Sequence, residues 1–397
     1  MRPVAEDLRR ALQVLLPAMD LVYARDPAPD APDPCDARGW RGFLTDLDDA
    51  AVTYAESHGL AALLARASDA PRDLVDLARA TAALRDLAPP LEAAPAATLT
   101  EPKVKARKGI QLDAMLHALR PMALRAARVV DVGAGSGHLT RLAAARFDTD
   151  ALGVERDAGR VSFARALAAG TRARFEHRDA LRAPLALRPD DLAVGLHACG
   201  ALGDHLVVEA AAAGASVALV SCCLQKIPGE TRAALSRTGR AAGLTLPRAV
   251  LGLSNVSERA EGVEATVAQN LAAREARHAL AHLLAGRGVA VTAAEAMRGV
   301  NRRRAQQGLD ALAHAVLAAR GMSPPTGDEL REARGAAARS FAVSRRLALP
   351  RSMLARALEL TVVLDRATAL AEAGRAVTVC EVFDPSVCPR NLGVFAG

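Results

Sequence analysis

Three glycines at alternate positions give the strongest chemical signal in the sequence. Gly133, Gly135 and Gly137 lie in VVDVGAGSGHL (129–139), where a predicted strand turns into a predicted helix. Glycines at such a turn let the backbone pass close to a ligand and direct its amide groups at it. Dinucleotide sites share this mechanism, but their spacing is G-x-G-x-x-G. The spacing G-x-G-x-G found here has no clean pyrophosphate fingerprint, so it favours a different ligand.

Acidic residues lie at the ends of three successive predicted strands. Asp131 precedes the glycine loop, Glu155 lies in GVERD, and Asp179 lies in EHRDA. Glu155 can accept hydrogen bonds from both hydroxyls of a ribose, and Asp179 can accept one from the adenine amino group. With the glycine loop, these residues resemble the cofactor site of class I methyltransferases, which use S-adenosyl-L-methionine (SAM). The resemblance implies SAM as the cofactor and the following residues as its contacts: Asp131, Gly133, Gly135, Gly137, His138, Glu155, Asp179 and His197.

A histidine and a set of cysteines follow the next two predicted strands. His197 and Cys199 lie in GLHACGALGD, and Cys222 and Cys223 lie in VSCCLQK. These two strands are neighbours in the fold that the resemblance implies, so the side chains are predicted to converge near the transferable methyl group. His197 is predicted as the general base that takes a proton from a hydroxyl or an amine. The alternative is an imidazole hydrogen-bonded beneath the cofactor.

Cys199, Cys222 and Lys226 are the other predicted residues of the catalytic site. The cysteines are predicted to pack and shape the pocket; the alternative, a covalent nucleophile for a pyrimidine, usually shows a Pro-Cys turn that is absent here. Neighbouring cysteines on a strand point to opposite faces, so no metal site is predicted. Lys226 and Lys108 can hold a phosphate or orient the acceptor, or they can be ordinary solvated side chains.

The same motifs narrow the resemblance. GLHACG and the CC pair are similar to methyltransferase-like proteins related to the eukaryotic tRNA 2′-O-methyltransferase of the acceptor stem. EVFDPSVCPRNLGVFA (381–396) resembles the FDP-x-x-x-PRN ending of that group, and RKGIQLDAM (107–115) resembles its basic helix. The chain lacks the histidines and zinc-finger modules of the tRNA-modifying branch, so activity on the acceptor stem does not carry over.

The pattern along the chain predicts the elements that position these residues. From residue 128, short β-branched runs alternate with helical segments, which is typical of βαβ units on a parallel sheet. A helical insertion is predicted at about 226–350, followed by a long helix and a closing hairpin of the same sheet. The predicted fold is therefore α/β, with a Rossmann-like methyltransferase domain over 101–397. Residues 1–100 are predicted as an all-helical domain, with a proline-rich linker at about 89–102.

Length and composition set further limits. The 397 residues exceed one ordinary domain, and 51% hydrophobic residues exclude general disorder. Aromatic residues make up only 3%, which excludes RNA-binding modules that stack several rings. No apolar run of membrane-spanning length and no secretory signal are found, so the protein is predicted to be cytoplasmic with reduced thiols.

The net charge of the chain is +7. Only four of its basic residues are lysines: Lys103, Lys105, Lys108 and Lys226. The basic charge and the lysine cluster favour a polyanionic partner. The predicted activity is therefore SAM-dependent methylation of RNA, either tRNA or rRNA, at a hydroxyl or an amine. Two alternatives are a methyltransferase that acts on a protein or a small molecule, and a non-catalytic SAM-binding scaffold.

Overall fold

The chain forms two compact units in the computed structural model, which describes residues 3–24, 33–92, 104–255, 266–291 and 293–397. The first, here called the sheet unit, comprises Met1–Pro17, Ala80–Val256 and Ala355–Gly397. The second, here called the helical unit, comprises Ala18–Arg79 and Ser257–Leu354. The sequence pattern places a domain boundary near residue 100. In the structure, the N-terminal helix and the stretch from Ala80 belong to the sheet unit.

Nine strands form two sheets in the described residues. They are β1 (Arg128–Val132), β2 (Asp150–Glu155), β3 (Ala173–His177), β4 (Asp191–Leu196), β5 (Ser216–Val220), β6 (Thr231–Ala233), β7 (Thr245–Pro247), β8 (Val377–Glu381) and β9 (Leu392–Ala396). The main sheet has the order β3-β2-β1-β4-β5-β9-β8, and β6 and β7 pair separately. Strands β1 to β5 are parallel, while β9 is antiparallel to both β5 and β8.

Helices surround this sheet and build the helical unit. They are α1 (Val4–Leu15), α2 (Met19–Tyr23), α3 (Pro34–Ala37), α4 (Arg41–Asp46), α5 (Asp49–His58), α6 (Leu60–Leu64), α7 (Arg72–Ala83), α8 (Ala106–Ala123), α9 (His138–Phe147), α10 (Ala158–Leu167), α11 (Ala201–Ala213), α12 (Arg237–Ala241), α13 (Arg248–Leu251), α14 (Val267–Gly286), α15 (Ala293–Ala296), α16 (Leu309–Ala319), α17 (Gly327–Leu347), α18 (Leu349–Met353) and α19 (Ala355–Glu372). None of the described helices combines the length and the apolar character that a bilayer crossing requires.

The centre of the main sheet is buried on both faces. Every residue of β4 is buried, and so are Val129, Val130 and Val132 of β1. Near-continuous apolar runs of this kind are typical of parallel strands that are covered by helices on both sides. Helix α1 packs on α19 and buries Leu8 in the sheet unit. The core thus holds the carboxyl ends of adjacent strands along one edge.

Helix caps in the sequence account for the long helices of the helical unit. Thr326 and Glu329 form a reciprocal capping box at the start of α17, and Thr266 and Gln269 do the same at the start of α14. Each box satisfies two backbone amides that the first helical turn leaves without partners. The two capped helices pack on each other.

The predicted fold class is confirmed: the main sheet, the helices over residues 4–83 and the returning hairpin of β8 and β9 are all present. Two details differ from the prediction. Strand β5 ends at Val220, before the cysteine pair, and the stretch predicted as a helical insertion contains the short strands β6 and β7. In the predicted linker, residues 93–102 lie outside the described residues, but Leu91 N–H donates to the carbonyl of Glu381 on β8 at 2.8 Å.

Candidate active site

The glycine loop joins β1 to α9 and packs tightly on its inner side. All three loop glycines have positive φ, at 79° for Gly133, 58° for Gly135 and 75° for Gly137. A Cβ on Gly137 would overlap the ring of Phe175, whereas a Cβ on Gly135 would have only one neighbour, at 3.9 Å. The loop therefore needs glycine for its backbone conformation throughout and for space at Gly137, and it leaves open volume at Gly135.

Glu155 at the end of β2 holds the glycine loop in place. One oxygen of its buried carboxylate accepts the Gly135 N–H at 2.9 Å, and the other accepts the Asp157 N–H at 3.0 Å. Each carboxylate oxygen can accept a second hydrogen bond. The side chain can therefore fix the loop and still accept hydrogen bonds from a ribose.

Asp131 lies under the loop and is almost completely buried. Its carboxylate accepts the Thr140 hydroxyl hydrogen bond at 2.7 Å. Burial raises the pKa of Asp131 to about 6, against the opposing effects of the Thr140 hydrogen bond and the Lys108 charge. Burial also lowers the pKa of Lys108, although Asp131 acts in the other direction. The two groups are thus electrostatic neighbours beneath the loop.

Asp179 and His138 lie at the ends of elements that face the same edge. Asp179 follows β3, and its carboxylate accepts the Leu181 N–H at 3.0 Å and lies 3.6 Å from the Arg182 guanidinium. His138 begins α9, and its Nδ1 lies 3.1 Å from the Arg141 guanidinium. Because β3, β2 and β1 are adjacent, Asp179 follows the same edge as Glu155 and Asp131. Their contacts to SAM remain predictions.

His197 follows β4 in a conformation that is rare for a residue with a side chain, with φ at 74°. Its Nε2 lies 3.1 Å from the amide oxygen of Gln111, which can only accept. The buried Nδ1 has no hydrogen-bond partner among the described residues. Burial lowers the pKa of His197 to about 4, and the charges of Lys108, Arg390 and Arg107 contribute.

Three cysteines meet beside His197. The Sγ atoms of Cys199 and Cys222 are 2.9 Å apart, and those of Cys222 and Cys223 are 3.7 Å apart. The premise that the vicinal pair points to opposite faces of a strand is wrong, because β5 ends at Val220 and both cysteines lie in the following loop. Hydrogen bonds from the other two thiols lower the pKa of Cys199. All the cysteines of the chain are free thiols.

Lys226 takes part in this region through its backbone. Its carbonyl accepts the Ala201 N–H at 2.9 Å, while its side chain is exposed. Gly200 has φ at 56°, and a Cβ there would overlap the Lys226 carbonyl. Only glycine therefore allows the loop after β4 to approach the loop after β5 this closely. The predicted role of the Lys226 ammonium group in catalysis is not tested by these contacts.

A buried ionic cluster beneath the two loops was not predicted. Arg366 of α19 is 1% exposed and donates to Asp204, to the Ser221 hydroxyl and to the Gly200 carbonyl, at 2.8, 2.8 and 2.9 Å. Arg232 also binds Asp204, through two hydrogen bonds of 2.9 Å. Asp204 thus forms ion pairs with two arginines. The cluster fixes both loops from below.

The C-terminal motif has a structural role in the sheet unit. Asn391 is fully buried; its side chain donates to the Phe383 carbonyl at 2.7 Å and accepts from Arg356 at 2.9 Å. The Arg356 guanidinium also binds Glu381 at 2.6 Å. These contacts hold the FDPSVCPRN loop between β8 and β9. Arg390 of this loop is one of the charges that act on His197.

The glycine loop, the three carboxylates and His197 thus lie at the carboxyl ends of the adjacent parallel strands β3, β2, β1 and β4. Residues 107–230 match a family model described as a methyltransferase domain. This part of the chain is therefore similar to a methyltransferase domain. SAM is the cofactor that such a domain indicates, and contacts of Asp131, Glu155 and the loop amides with it stay predictions. The narrower resemblance to the GLHxCG and CC subtype stays a prediction.

Among solved structures, the chain is similar to coclaurine N-methyltransferase bound to N-methylheliamine and SAH. The identity is 12%, the match covers 54% of this chain and 63% of that one, and the TM-score is 0.26. A likeness of this degree carries no conclusion about the substrate of this methyltransferase domain. No curated protein matches the sequence.

Proposed function

We propose that the methyltransferase domain acts on RNA, at a ribose hydroxyl or an exocyclic amine. The observation that supports this substrate is the positive charge around His197, where Arg107, Lys108 and Arg390 all lower its pKa in addition to burial. Cations beside a methyl-transfer site suit the phosphates that flank a target nucleotide. Such contacts position the RNA and leave the choice of nucleotide to other groups.

The chain's own residues have distinct roles at the cofactor. SAM supplies a methyl group on a positively charged sulfur. Glu155 holds the loop that lies against the cofactor and offers oxygen lone pairs to the ribose, and Asp131 supports the loop from beneath. Gly135 leaves open volume on the loop. These roles order the cofactor before the acceptor arrives, which removes part of the entropic cost of methyl transfer.

His197 is suited to receive the acceptor group. In the tautomer with the proton on Nε2, that nitrogen donates to the Gln111 amide oxygen, and the lone pair of the buried Nδ1 is left for the acceptor hydroxyl. As the methyl group is transferred to that oxygen, the proton passes to Nδ1. General-base assistance of this kind contributes on the order of 10² to 10⁴ in rate. The expected result for His197→Asn is a large loss in kcat with little change in SAM affinity.

The proposal is tested with labelled SAM and total RNA from a host that lacks the gene. We expect label in nuclease-sensitive, protease-resistant material, and none above background with Gly135→Arg. Label in protein or in small molecules would overturn the RNA assignment and favour the alternative substrates. Absence of label in every cellular fraction, with SAM binding intact, would favour the scaffold.

Charge variants sharpen the test. Arg390→Gln removes one of the cations that act on His197, and Arg237→Gln is the control because its side chain is 76% exposed in a surface pair with Glu372. For RNA, the slope of log affinity against log salt should decrease by about 1 for Arg390→Gln and remain unchanged for the control. Equal slopes in all three proteins would contradict a phosphate contact at Arg390.

A further inference from the structure

Cys199, Cys222 and Cys223, here called the thiol cluster, form the one group of potential metal ligands in the part of the chain that the structure describes. All three Sγ atoms lie within 4.8 Å of one another. Cys199 is buried, and the other two are half-buried. The cluster thus has an accessible side, on the loops that carry the methyl-transfer site.

Three sulfurs at this range can share one metal ion, whereas a disulfide joins only two. Zn²⁺ binds thiolates at about 2.3 Å, which places two sulfurs of a tetrahedral site about 3.8 Å apart. The Cys222 to Cys223 separation of 3.7 Å is close to this value, the Cys199 to Cys222 separation of 2.9 Å is shorter, and the third is no more than 4.8 Å. A disulfide would use only two of the sulfurs and would leave the third without a role.

One backbone amide and two ammonium groups act on the cluster. The Cys222 N–H points to the Cys199 sulfur at 3.4 Å, and backbone amides of this kind stabilise thiolates. Two of the chain's four lysines act electrostatically on the cluster: Lys108 interacts with Cys222, and Lys226 with Cys223. Three thiolates and one divalent cation carry a net charge of −1, which these ammonium groups offset.

We propose that the thiol cluster binds Zn²⁺ through three thiolates and leaves the fourth coordination position open. Binding releases the three thiol protons to solvent, and the ion occupies the space between the sulfurs. Three protein ligands with one open position are typical of zinc sites that act on a water or a substrate group. In this protein, the open coordination position would take the oxygen or nitrogen of the methyl acceptor. This role of the ion rests on the proposed function, whereas metal binding itself does not.

Metal content of the full-length protein tests the site without any substrate. Protein purified under reducing conditions without chelator, then supplied with Zn²⁺ and desalted, should retain about one zinc per chain. Co²⁺ in its place should give the intense sulfur-to-metal absorption of thiolate coordination. Cys199→Ser, Cys222→Ser and Cys223→Ser should each weaken zinc binding at least about tenfold. Cys380→Ser, a buried cysteine of β8, is the matched control and should bind as the unaltered protein does.

Alkylation of the unaltered protein keeps the test independent of variant folding. With Zn²⁺ present, Cys199, Cys222 and Cys223 should be protected from iodoacetamide, and a chelator should remove the protection. Less than about a fifth of an equivalent of zinc, together with unprotected cysteines, would overturn the proposal. A Cys199 to Cys222 disulfide in the purified protein that reductant opens without any gain in zinc binding would overturn it as well.

Discussion

Two separate constraints require glycine at position 137: the backbone has a positive φ, and there is no room for a Cβ. Its φ of 75° costs an alanine on the order of 1–2 kcal/mol, and an added Cβ also overlaps the Phe175 ring. Gly137→Ala should therefore lower the free energy of unfolding by about 3 kcal/mol. The control is Gly170→Ala, where φ is 76° and no atom lies within 4 Å, so only the backbone cost applies. Equal losses in urea unfolding would show that the ring contact is unimportant.

The two hydrogen bonds of Glu155 predict how its replacement affects the cofactor. Glu155→Gln keeps one acceptor oxygen and places an amide NH₂ against a backbone N–H, so one of the two bonds is lost. The dissociation constant for SAM, measured by calorimetry, should rise about tenfold, which corresponds to 1.4 kcal/mol. Unchanged affinity would show that neither the loop anchor nor the ribose contact depends on the carboxylate.

Asp131 predicts a pH dependence of stability. Its pKa rises from 3.8 to about 6 on folding because burial disfavours the charge, while Thr140 and Lys108 oppose this and Glu155 adds to it. The folded state holds the proton more tightly, so this residue's stabilising contribution is lost as pH rises from about 4 to 6. From pH 5 to pH 7, the protein should lose about 1 kcal/mol relative to Asp131→Asn in urea unfolding. A difference that stays constant would contradict the raised pKa.

Among the elements, α19 has the most direct influence on the site. Arg366 reaches from this helix to the Gly200 carbonyl and the Ser221 hydroxyl, and it balances the charge of Asp204. Arg366→Met should cost about 3–5 kcal/mol, because it leaves buried polar groups without partners. Arg237→Met, at an exposed pair, should cost less than about 1 kcal/mol. A small loss for Arg366→Met would mean that Arg232 alone satisfies Asp204.

The sequence predicts the elements of the sheet well, since periodicity is a local property. VVDV, ALGVE and LAVGL are predicted as strands, and each of them forms one. The end of β5 was not predictable, because Cys222, Cys223 and Leu224 continue the apolar pattern of the strand after Ser221. Strands β6 and β7 have three residues each, too few to show a period.

The site was predictable only where its residues share a local motif. The glycine loop and the acidic strand ends are found by their spacing. Gln111 and Arg366 were missed because their partners, His197 and Asp204, lie far along the chain. A lone buried glutamine or arginine inside a helix gives no local signal of its distant partner. The convergence of Cys199, Cys222 and Cys223 was predicted from the neighbouring strands, but the common side of the vicinal pair was not, because the end of β5 was placed too late.

In the molecule as a whole, the sheet unit is assembled from three stretches of the chain. Helix α1, far from the glycine loop in sequence, packs on α19 and buries Leu8 completely. Leu8→Ala should therefore destabilise the SAM-binding unit by about 2–5 kcal/mol. Leu16→Ala is the control, because that side chain is 36% exposed and should cost under about 1 kcal/mol. The measurement is the unfolding midpoint with and without SAM. Equal shifts of the midpoint for Leu8→Ala and Leu16→Ala would show that the packing of α1 does not stabilise this unit.

The position of β9 between β5 and β8 has a consequence for biosynthesis. Val217 on β5 pairs with Ala396 on β9, and the chain between them includes much of the helical unit. While the ribosome translates that stretch, the hydrogen-bonding edge of β5 is open on the nascent chain. We therefore expect this edge to need chaperone protection until the closing hairpin emerges. Stalled or prematurely terminated products, which lack the hairpin, should be the forms most prone to aggregate.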